Sequence, residues 1–254
     1  MRRAAPQTMN SQRYLALAGV GSRRMSGQLI EQGRVTVNGR RLTFGVEIQP
    51  GDDVRIDGQP VAAPGEMVYI ALHKPEGYIS DRGAPGEKSA LDLAPSGLRL
   101  FSVGRLDKDA TGLLLLTNDG ELAQRLTHPR YEHEKEYRAL VQGVPAQADL
   151  DRWRRGVSIG RGAEIEITAP ARVEIDHIAQ AGAWLAVTLR EGRKRQIKRV
   201  AKAIGHPVIR LIRVRIGPIT LGDLQPGEWR RLTDDEARHL RAQAGLTDPA
   251  DKSL

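Results

Sequence analysis

The chain has 254 residues, of which 40% are hydrophobic and 28% are charged, and this composition is typical of a soluble globular protein. It contains no cysteine, which excludes disulfides, thiolate metal sites and a cysteine nucleophile. The 39 Lys and Arg residues exceed the 31 Asp and Glu residues, so the formal net charge is +8; such a surface attracts polyanions such as nucleic acid, although a basic protein without a polyanionic partner has the same balance.

Metal sites, membrane spans and export signals have no support in the sequence. The six histidines are scattered, and none are paired at metal-ligand spacing. No apolar run approaches the ~20 residues that a membrane span requires. Met1–Asn10 has two arginines but no apolar segment behind them, so we expect a short disordered lead and not a secretory signal. The sequence therefore predicts a cytoplasmic protein without a metal or a membrane partner.

The first compact unit is predicted to span residues 9–60 and to combine two small helices with a small hairpin sheet. The predicted helices are 13–17 and 23–31, and the predicted strands are 34–37 and 54–56. Ser22 is a suitable N-cap for the second helix, and Asn38-Gly39 is the kind of tight turn that joins hairpin strands. The unit is basic, with six arginines in under thirty positions: Arg13, Arg23, Arg24, Arg34, Arg40 and Arg41.

A linker, residues 61–66, is predicted from its proline, glycine and alanine content, and a larger α+β unit is predicted for residues 67–235. This unit is expected to be built on a long antiparallel or mixed sheet, with Leu113–Leu116 as a buried strand because it is fully apolar. The predicted strands are 67–72, 113–116, 136–141, 164–167, 172–175, 184–189 and 208–216, and the predicted helices are 121–126 and 195–204. A short terminal helix from residue 234 leads into a predicted C-terminal tail, residues 236–254.

Two acids, two bases and two glycines lie together at residues 104–112, in the sequence GRLDKDATG, directly before the buried strand. Loops held by a rigid scaffold are where catalytic groups concentrate, so this loop is a candidate active-site segment. The same residues also suit a surface turn in which Asp and Thr side chains cap local backbone groups. The local pattern alone leaves both interpretations open.

Two further stretches combine cations with features that suit RNA. Residues 135–138, Lys-Glu-Tyr-Arg, place an aromatic ring between cations, which can stack on an unpaired base while the cations contact phosphates. Residues 189–199 contain six cations around a strand-to-helix turn at Gly192. An ordinary strand edge and a solvated charged face are the alternatives. The sequence has no phosphate-binding loop, dinucleotide fingerprint, Ser-His-Asp order or HExxH, so any enzymatic reaction is expected to need no nucleotide, metal or redox cofactor.

Taken together, these stretches resemble the RsuA/RluB family of pseudouridine synthases. The resemblance is carried by GRLDKDATGLLLLTNDG at 104–120, by Lys-Glu-Tyr at 135–137, by EGRKRQIKRV at 191–200 and by the segment 210–232 that follows. The first unit, with Ser-Arg-Arg at 22–24 and GRVTVNG at 33–39, resembles an S4-type RNA-binding module. Met25-Ser26-Gly27 departs from the acidic, alanine-rich helix usual in that module, and a glycine within a helix costs about 0.5–1 kcal/mol relative to alanine.

The resemblance implies an α+β pseudouridine synthase fold behind a small S4-like (alpha-L) domain, and a reaction without a cofactor. Asp107 is implied to be the catalytic aspartate, Tyr137 to stack on the target base, Lys198 to be the basic partner of Asp107, and Arg105 to help displace the base from its stack. Besides the six arginines of the first unit, the residues expected to contact RNA are Lys74, Lys135, Arg193 and Arg195.

The implied substrate is a uridine of ribosomal RNA, and the C-terminal segment favours the large subunit (23S) over the small subunit (16S). The reaction breaks the C1′–N1 bond, turns the uracil and rejoins it through C5; whether Asp107 attacks C1′, attacks C6 or removes a ribose proton stays open. A ribosome-assembly factor that binds rRNA without catalysis is the alternative from another class. A DNA-binding regulator has no supporting groove-reading motif. A monomer is the default expectation.

Overall fold

The computed structural model describes residues 8–160 and 165–246, which form two compact units: one ends at Met67, and the other spans Val68–Leu246. No helix in these described ranges is long and apolar enough to cross a membrane. Three predictions fall outside them, namely the lead through residue 7, the strand start at Glu164 and the last eight residues of the tail.

The N-terminal unit contains the two predicted helices and a four-stranded antiparallel sheet. Its elements are β1 (Met9–Asn10), α1 (Ser11–Leu17), α2 (Arg23–Glu31), β2 (Val35–Val37), β3 (Arg40–Arg41), β4 (Glu47–Ile48), β5 (Val54–Ile56) and β6 (Gln59–Pro60). The sheet order is β3-β2-β5-β6, while β1 pairs with β4. Met9 and Asn10 therefore belong to the folded unit and not to a disordered lead.

Local sequence signals set the ends of these elements. The Ser22 hydroxyl accepts a hydrogen bond from the Met25 amide at 3.1 Å and caps α2 as predicted. Asn38 and Gly39 both have positive φ, as the hairpin turn between β2 and β3 requires. The buried core of the unit comes from one face of each helix and of the sheet, through Leu15, Leu29, Ile30, Val35, Leu42, Ile48 and Val54.

The larger unit is built on a nine-stranded mixed sheet. The strands of this unit are β7 (Tyr69–Lys74), β8 (Phe101–Val103), β9 (Thr111–Thr117), β10 (Lys135–Gln142), β11 (Ser158–Ile159), β12 (Glu166–Ile167), β13 (Arg172–Ala179), β14 (Gly182–Leu189), β15 (Val208–Ile216), β16 (Ile219–Thr220) and β17 (Trp229–Arg231). Strands β11 and β12 pair with each other in a separate two-stranded sheet. The main sheet order is β13-β14-β10-β15-β9-β7-β17, with β8 beside β9 and β16 beside β15. Strands β9 and β15 run parallel, which makes the predicted α+β sheet a mixed one.

Strand β9 is buried on both faces, which explains its continuous apolar sequence. Leu113 and Leu115 point into one hydrophobic cluster, together with Leu122 and Leu126 of the following helix. Leu114 and Leu116 point into a second cluster on the opposite face. Because successive side chains of a strand alternate between faces, only an all-apolar run satisfies both clusters.

Four α-helices cover the sheet within the described part of this unit: α3 (Gly120–Thr127), α4 (Gln147–Arg155), α5 (Gln196–Ala203) and α6 (Asp234–Gln243). Helix α4 was not predicted, because six of its nine residues are charged or amide side chains. Its apolar signal consists of Leu150 and Trp153, three positions apart, and both side chains are buried.

Helix α6 is part of the larger unit, so the predicted tail from residue 236 begins too early. Leu240, Ala244 and Leu246 lie in the same hydrophobic cluster as α3. The Arg241 guanidinium forms a buried ion pair with Asp119, whose side chain is 0% exposed and also caps α3. This ion pair ties the last helix to the end of β9.

We expect Asp119→Ala to destabilise the larger unit by about 3–5 kcal/mol, because the change removes the carboxylate from a buried ion pair with Arg241. All three tryptophans lie between residues 153 and 229, so tryptophan fluorescence during urea unfolding reports on this unit. Asp235→Ala, which removes an exposed ion pair with Arg238, is the control and should cost less than about 1 kcal/mol. Equal losses for the two variants would contradict the structural role of the Asp119 pair.

Candidate active site

Asp107 lies at the wall of an open cleft in the larger unit. The loop 104–110 joins β8 to β9 and contributes Arg105, Leu106, Asp107 and Ala110 to the cleft. The volume of the cleft is about 430 Å³ when the solvent space at its mouth is included. Tyr137 of β10 and residues from the start of α5 form the facing walls. Three stretches that are far apart in the sequence thus meet in one cavity, and the Asp107 carboxylate is 27% exposed within it.

The backbone of this loop is held by side chains from the segment after β7. The Ser80 hydroxyl donates to the Leu106 carbonyl at 2.8 Å and accepts from the Leu106 amide at 2.7 Å. The Gly77 amide donates to the Lys108 carbonyl at 2.8 Å. These bonds fix the residues on both sides of Asp107 and leave its carboxylate free to face the cleft.

The structure places the Lys74 side chain inside the protein, which corrects the prediction that Lys74 contacts RNA. Its side chain is 0% exposed, and its ammonium donates to the carbonyls of Pro75 (2.9 Å), Tyr78 (2.7 Å) and Lys108 (3.5 Å). Burial lowers the pKa of Lys74 to about 8, although the charges of Asp109 and Asp107 act in the opposite direction. The lysine therefore ties the end of β7 to the loop 104–110.

Arg213 of β15 holds the same loop from the other side. Its side chain is buried; Nε donates to the Leu113 carbonyl at 2.7 Å and Nη1 lies 3.5 Å from the Arg105 carbonyl. Gly112 has a φ of +107° and lies so close to β15 that a Cβ atom would come within 2.3 Å of the Arg213 carbonyl oxygen. Only glycine allows this approach of β9 to β15.

Tyr137 lies at a register shift in the sheet. The pairing of β10 with β15 shifts between Glu136 and Tyr137, and irregularities of this kind re-aim a side chain. The residue is 9% exposed and is packed in the core at the cleft wall.

The Lys135 ammonium donates to the His133 carbonyl at 3.2 Å, and burial lowers the pKa of Lys135 to about 8, with the Arg213 charge as a smaller cause. The Lys135 side chain is thus half-buried, and its ammonium is hydrogen-bonded to the backbone just before β10.

The cations at the start of α5 are shared between two aspartates. Lys198, predicted to be the partner of Asp107, instead contacts Asp109, with 2.6 Å between Nζ and Oδ1. Arg195 contacts both carboxylates, at 3.6 Å from Asp107 and 3.4 Å from Asp109. Arg195 is the residue directly before α5, and its backbone has a left-handed conformation (φ 52°, ψ 33°). This conformation is strained for a residue other than glycine.

The remaining cations that were predicted to contact RNA differ in their solvent exposure and in their contacts with carboxylates. Arg105 is exposed at the cleft, whereas Arg193 is bound to Glu191 (2.9 Å) and Glu166 (2.6 Å). In the N-terminal unit, Arg34 pairs with Asp57 on the surface. The other arginines predicted there are exposed, apart from a half-buried Arg13: Arg23, Arg24, Arg40 and Arg41.

Ser80 and Arg213 were not among the predicted site residues, because no local pattern indicates which loop their side chains contact. The hydrogen bond of Ser80 spans 26 residues and that of Arg213 spans 100, so only the folded chain reveals them. Within the described ranges, no group of three or more acidic or histidine side chains is arranged to hold a metal ion. The cleft therefore presents one accessible carboxylate, one aromatic ring and a set of cations.

Comparison with known proteins identifies the family to which this arrangement belongs. Residues 68–203 match the RNA pseudouridylate synthase family, and residues 12–54 match the S4 domain. An RNA pseudouridine synthase of Aquifex aeolicus is 43% identical over 92% of this chain and 94% of its own length. The ribosomal large subunit pseudouridine synthase B of Bacillus subtilis is 41% identical over 92% of this chain and 96% of its own length.

A crystal structure of a pseudouridylate synthase gives the same result at the level of the fold, with a TM-score of 0.65 and 30% identity over 91% of this chain and 99% of that one. The chain belongs to the RNA pseudouridylate synthase family. It is therefore an enzyme that acts on RNA, and an S4 domain precedes its synthase domain.

We expect Lys74→Met to destabilise the larger unit by about 2–4 kcal/mol, because three carbonyls lose a donor while one buried charge is removed. Its effect on RNA affinity should be less than about twofold, since the ammonium does not reach the surface. Tryptophan fluorescence during urea unfolding and filter binding measure the two quantities. Lys88→Met, at an exposed lysine, is the control. A large loss of RNA affinity in a stably folded Lys74 variant would show that this lysine contacts RNA.

The stability difference between wild type and Lys74→Met should depend on pH. Lys74 has a folded-state pKa of about 8, below its ordinary 10.5, so between these values the unfolded chain binds more protons. A rise in pH then favours the folded state, and wild type should gain up to about 3 kcal/mol relative to the variant between pH 8 and pH 10.5. Urea unfolding at several pH values measures this gain. A constant difference would mean that the buried ammonium has an ordinary pKa.

Proposed function

We propose that this enzyme isomerises a specific uridine of ribosomal RNA in the large subunit, with Asp107 as the catalytic carboxylate. The supporting observation is the position of Asp107: its loop is clamped by backbone hydrogen bonds, while its carboxylate is accessible in a cleft beside an aromatic ring. The Arg195 guanidinium lies 3.6 Å from this carboxylate, on the same cleft wall.

The target base has to leave its stack before any group of the cleft can reach it, and this costs a few kcal/mol. Tyr137 at the cleft wall offers a ring on which the extruded base can stack, which typically contributes about 1–3 kcal/mol. Arg105, exposed at the same cleft, is placed to fill the space left by the base or to contact its phosphate. Arg195 and Arg105 are thus the cleft cations that we assign to RNA.

The S4 unit provides a second RNA contact. Its exposed arginines lie on short elements of a small rigid domain, and cations of this kind bind phosphates without reading the sequence. We therefore assign affinity and positioning to these arginines, and the choice of base to the cleft. We also propose that the enzyme acts as a monomer, in the cytoplasm where rRNA is made.

The choice of ribosomal RNA is supported by the Bacillus subtilis relative, whose name specifies the large ribosomal subunit and which matches 92% of this chain. A uridine of the small subunit is the second candidate. Both are tested by mapping pseudouridine in the rRNA of cells with and without the gene. Loss of one pseudouridine from 23S rRNA is expected; loss from 16S rRNA would reassign the substrate, and unchanged rRNA would refute the ribosomal proposal.

We expect Asp107→Asn to lower the rate of pseudouridine formation by on the order of 10³-fold or more, because the amide cannot act as nucleophile or base. RNA affinity should stay within about threefold of wild type, since the change leaves the phosphate contacts in place. Tritium release from rRNA transcripts labelled at uridine C5 measures the rate, and filter binding measures the affinity. Asp235→Asn, at an exposed carboxylate of α6, controls for the change in net charge.

Substantial turnover by Asp107→Asn would refute the assignment of the catalytic residue. A wild-type protein that binds rRNA tightly but releases no tritium from any ribosomal transcript would favour the alternative, an assembly factor without catalysis.

Replacement of Tyr137 by Phe should cause only a partial loss of rate, about tenfold or less, because the ring that stacks on the base is kept. Tyr137→Leu, which removes the aromatic face, should lower the rate further. Since the residue is packed in the core, tryptophan fluorescence melting has to show that both variants are folded before the rates are compared. Equal rates for Phe and Leu variants would contradict a stacking role.

A further inference from the structure

The S4 unit carries an exposed aromatic ring that its hydrophobic core does not use. Phe44 is 56% exposed, and it lies in a turn between Leu42 and Ile48, which are both buried in the core of the unit. Gly45, directly after it, has a φ of +86°, a conformation that glycine adopts without strain. A single exposed apolar side chain is common on protein surfaces, so the role of this ring has to be judged from its surroundings.

The turn holds Phe44 in place from both sides. The Leu42 amide donates to the Val35 carbonyl of β2 at 2.9 Å, and Ile48 belongs to β4, which pairs with β1. An aromatic side chain has only two rotatable side-chain bonds. A ring on a turn anchored in this way therefore loses little conformational freedom when it binds another group.

The middle of α2 supports an edge of this ring. A Cβ atom on Gly27 would lie 3.7 Å from Cε1 of Phe44 and 2.6 Å from Nε2 of Gln12. The glycine that departs from the usual alanine-rich helix thus lets Gln12 and the ring approach the helix backbone closely. Since the contact involves an edge atom and the residue stays more than half exposed, the ring has surface left for stacking.

Cations lie at both ends of α2, on either side of the ring. Arg23 and Arg24 precede Gly27 by four and three residues, so they share its side of the helix one turn away. Both are exposed, and in the described part of the chain neither has a recorded ion pair. At the other end of α2, the Arg41 guanidinium donates to the Glu31 carbonyl at 3.2 Å. An aromatic ring between cations suits an unpaired nucleotide, whose base stacks while its phosphates contact the cations.

We propose that Phe44 is a stacking site for an unpaired base of the RNA, beside arginines that contact the adjacent phosphates. The proposal deepens the proposed function and rests on the RNA contact assigned there to the S4 unit. Residues 22–48 contain five arginines and two glutamates, so the surroundings of the ring are positive overall. Stacking on an aromatic ring tolerates every base, so the S4 unit binds where the RNA has an unpaired nucleotide and does not read which one it is.

Two other roles for Phe44 predict different behaviour. If the ring only packs against α2, leucine should replace it, because leucine keeps an apolar contact and lacks the aromatic face. If the ring contacts another protein, the affinity for RNA should not depend on it. The neighbouring guanidinium groups argue against an apolar protein partner, since such a partner would have to displace their water.

The test measures filter binding of the full-length protein to two RNA probes of equal length, a single-stranded oligouridylate and a fully paired duplex. Phe44→Leu should weaken binding of the single strand by about 5- to 100-fold and binding of the duplex by less than about twofold. Phe44→Tyr keeps the ring and should stay within about threefold of wild type on both probes. Val46→Ala, at a neighbouring exposed apolar residue, is the matched control and should stay within about twofold.

Salt dependence separates stacking from charge. The slope of log affinity against log salt concentration should be the same for Phe44→Leu as for wild type, because no phosphate contact is lost. Arg24→Gln should instead make this slope shallower by about one, since one phosphate contact is removed.

Phe44→Trp provides a second and more direct readout. The three native tryptophans all lie in the larger unit, so the added emission comes from position 44. Oligouridylate should quench this added emission by stacking, and the duplex should not. Circular dichroism melting shows whether each variant is folded; if Phe44→Leu is not, the quenching of Phe44→Trp decides.

Equal single-strand affinities of wild type and a folded Phe44→Leu would overturn the proposal, as would equal losses on the two probes or an unquenched Phe44→Trp. None of these measurements involves turnover, so they are independent of the role of Asp107. A protein that forms pseudouridine but binds RNA without any dependence on Phe44 would keep the proposed function and lose this inference. Phe44-dependent binding in a protein that forms no pseudouridine would give the reverse result.

Discussion

The site depends on the way in which the backbone around Asp107 is held. Ser80 bonds to both polar groups of the Leu106 backbone, Lys74 and Gly77 bond to the Lys108 carbonyl, and Arg213 lies beside the Arg105 carbonyl. All of these bonds are made to main-chain atoms, so none of them uses the Asp107 carboxylate. Catalytic side chains have to be held within about 0.5 Å of the productive geometry, and here the bonds to the neighbouring backbone contribute to that precision.

The same arrangement explains why two buried cations lie behind the loop. Lys74 and Arg213 have no carboxylate as a hydrogen-bond partner among the described residues and donate instead to backbone carbonyls. Burial of such charges is unfavourable, and the lowered pKa of Lys74 reflects that cost. The charges of Asp109 and Asp107 lie near enough to Lys74 to offset part of the effect of burial on its pKa.

Sequence patterns were informative where the determinant was local. The apolar run of β9, the Ser22 cap and the Asn38-Gly39 turn all reflect neighbouring residues, and the structure confirms each of them. The three stretches that suggested chemistry do meet in one cleft. Individual cation partners could not be predicted, because Lys198 and Arg195 lie one helical turn apart and either can reach the loop. The mostly polar helix α4 and the hydrogen bonds of Ser80 depend on contacts across long sequence separations, which no local pattern encodes.

The proposed division of RNA recognition between the two units rests on how their cations are engaged. Two cations at or next to the cleft wall are already engaged: Arg193 with Glu191 and Glu166, and Lys198, which follows the wall residue Ile197, with Asp109. Cations bound in this manner shape a site but add little to the attraction of a polyanion from solution. In the S4 unit, Arg34 pairs with Asp57, whereas Arg23, Arg24, Arg40 and Arg41 are exposed to solvent. Long-range attraction is therefore assigned to a domain that carries no catalytic group, and the cleft can keep a carboxylate accessible even though its substrate is negatively charged.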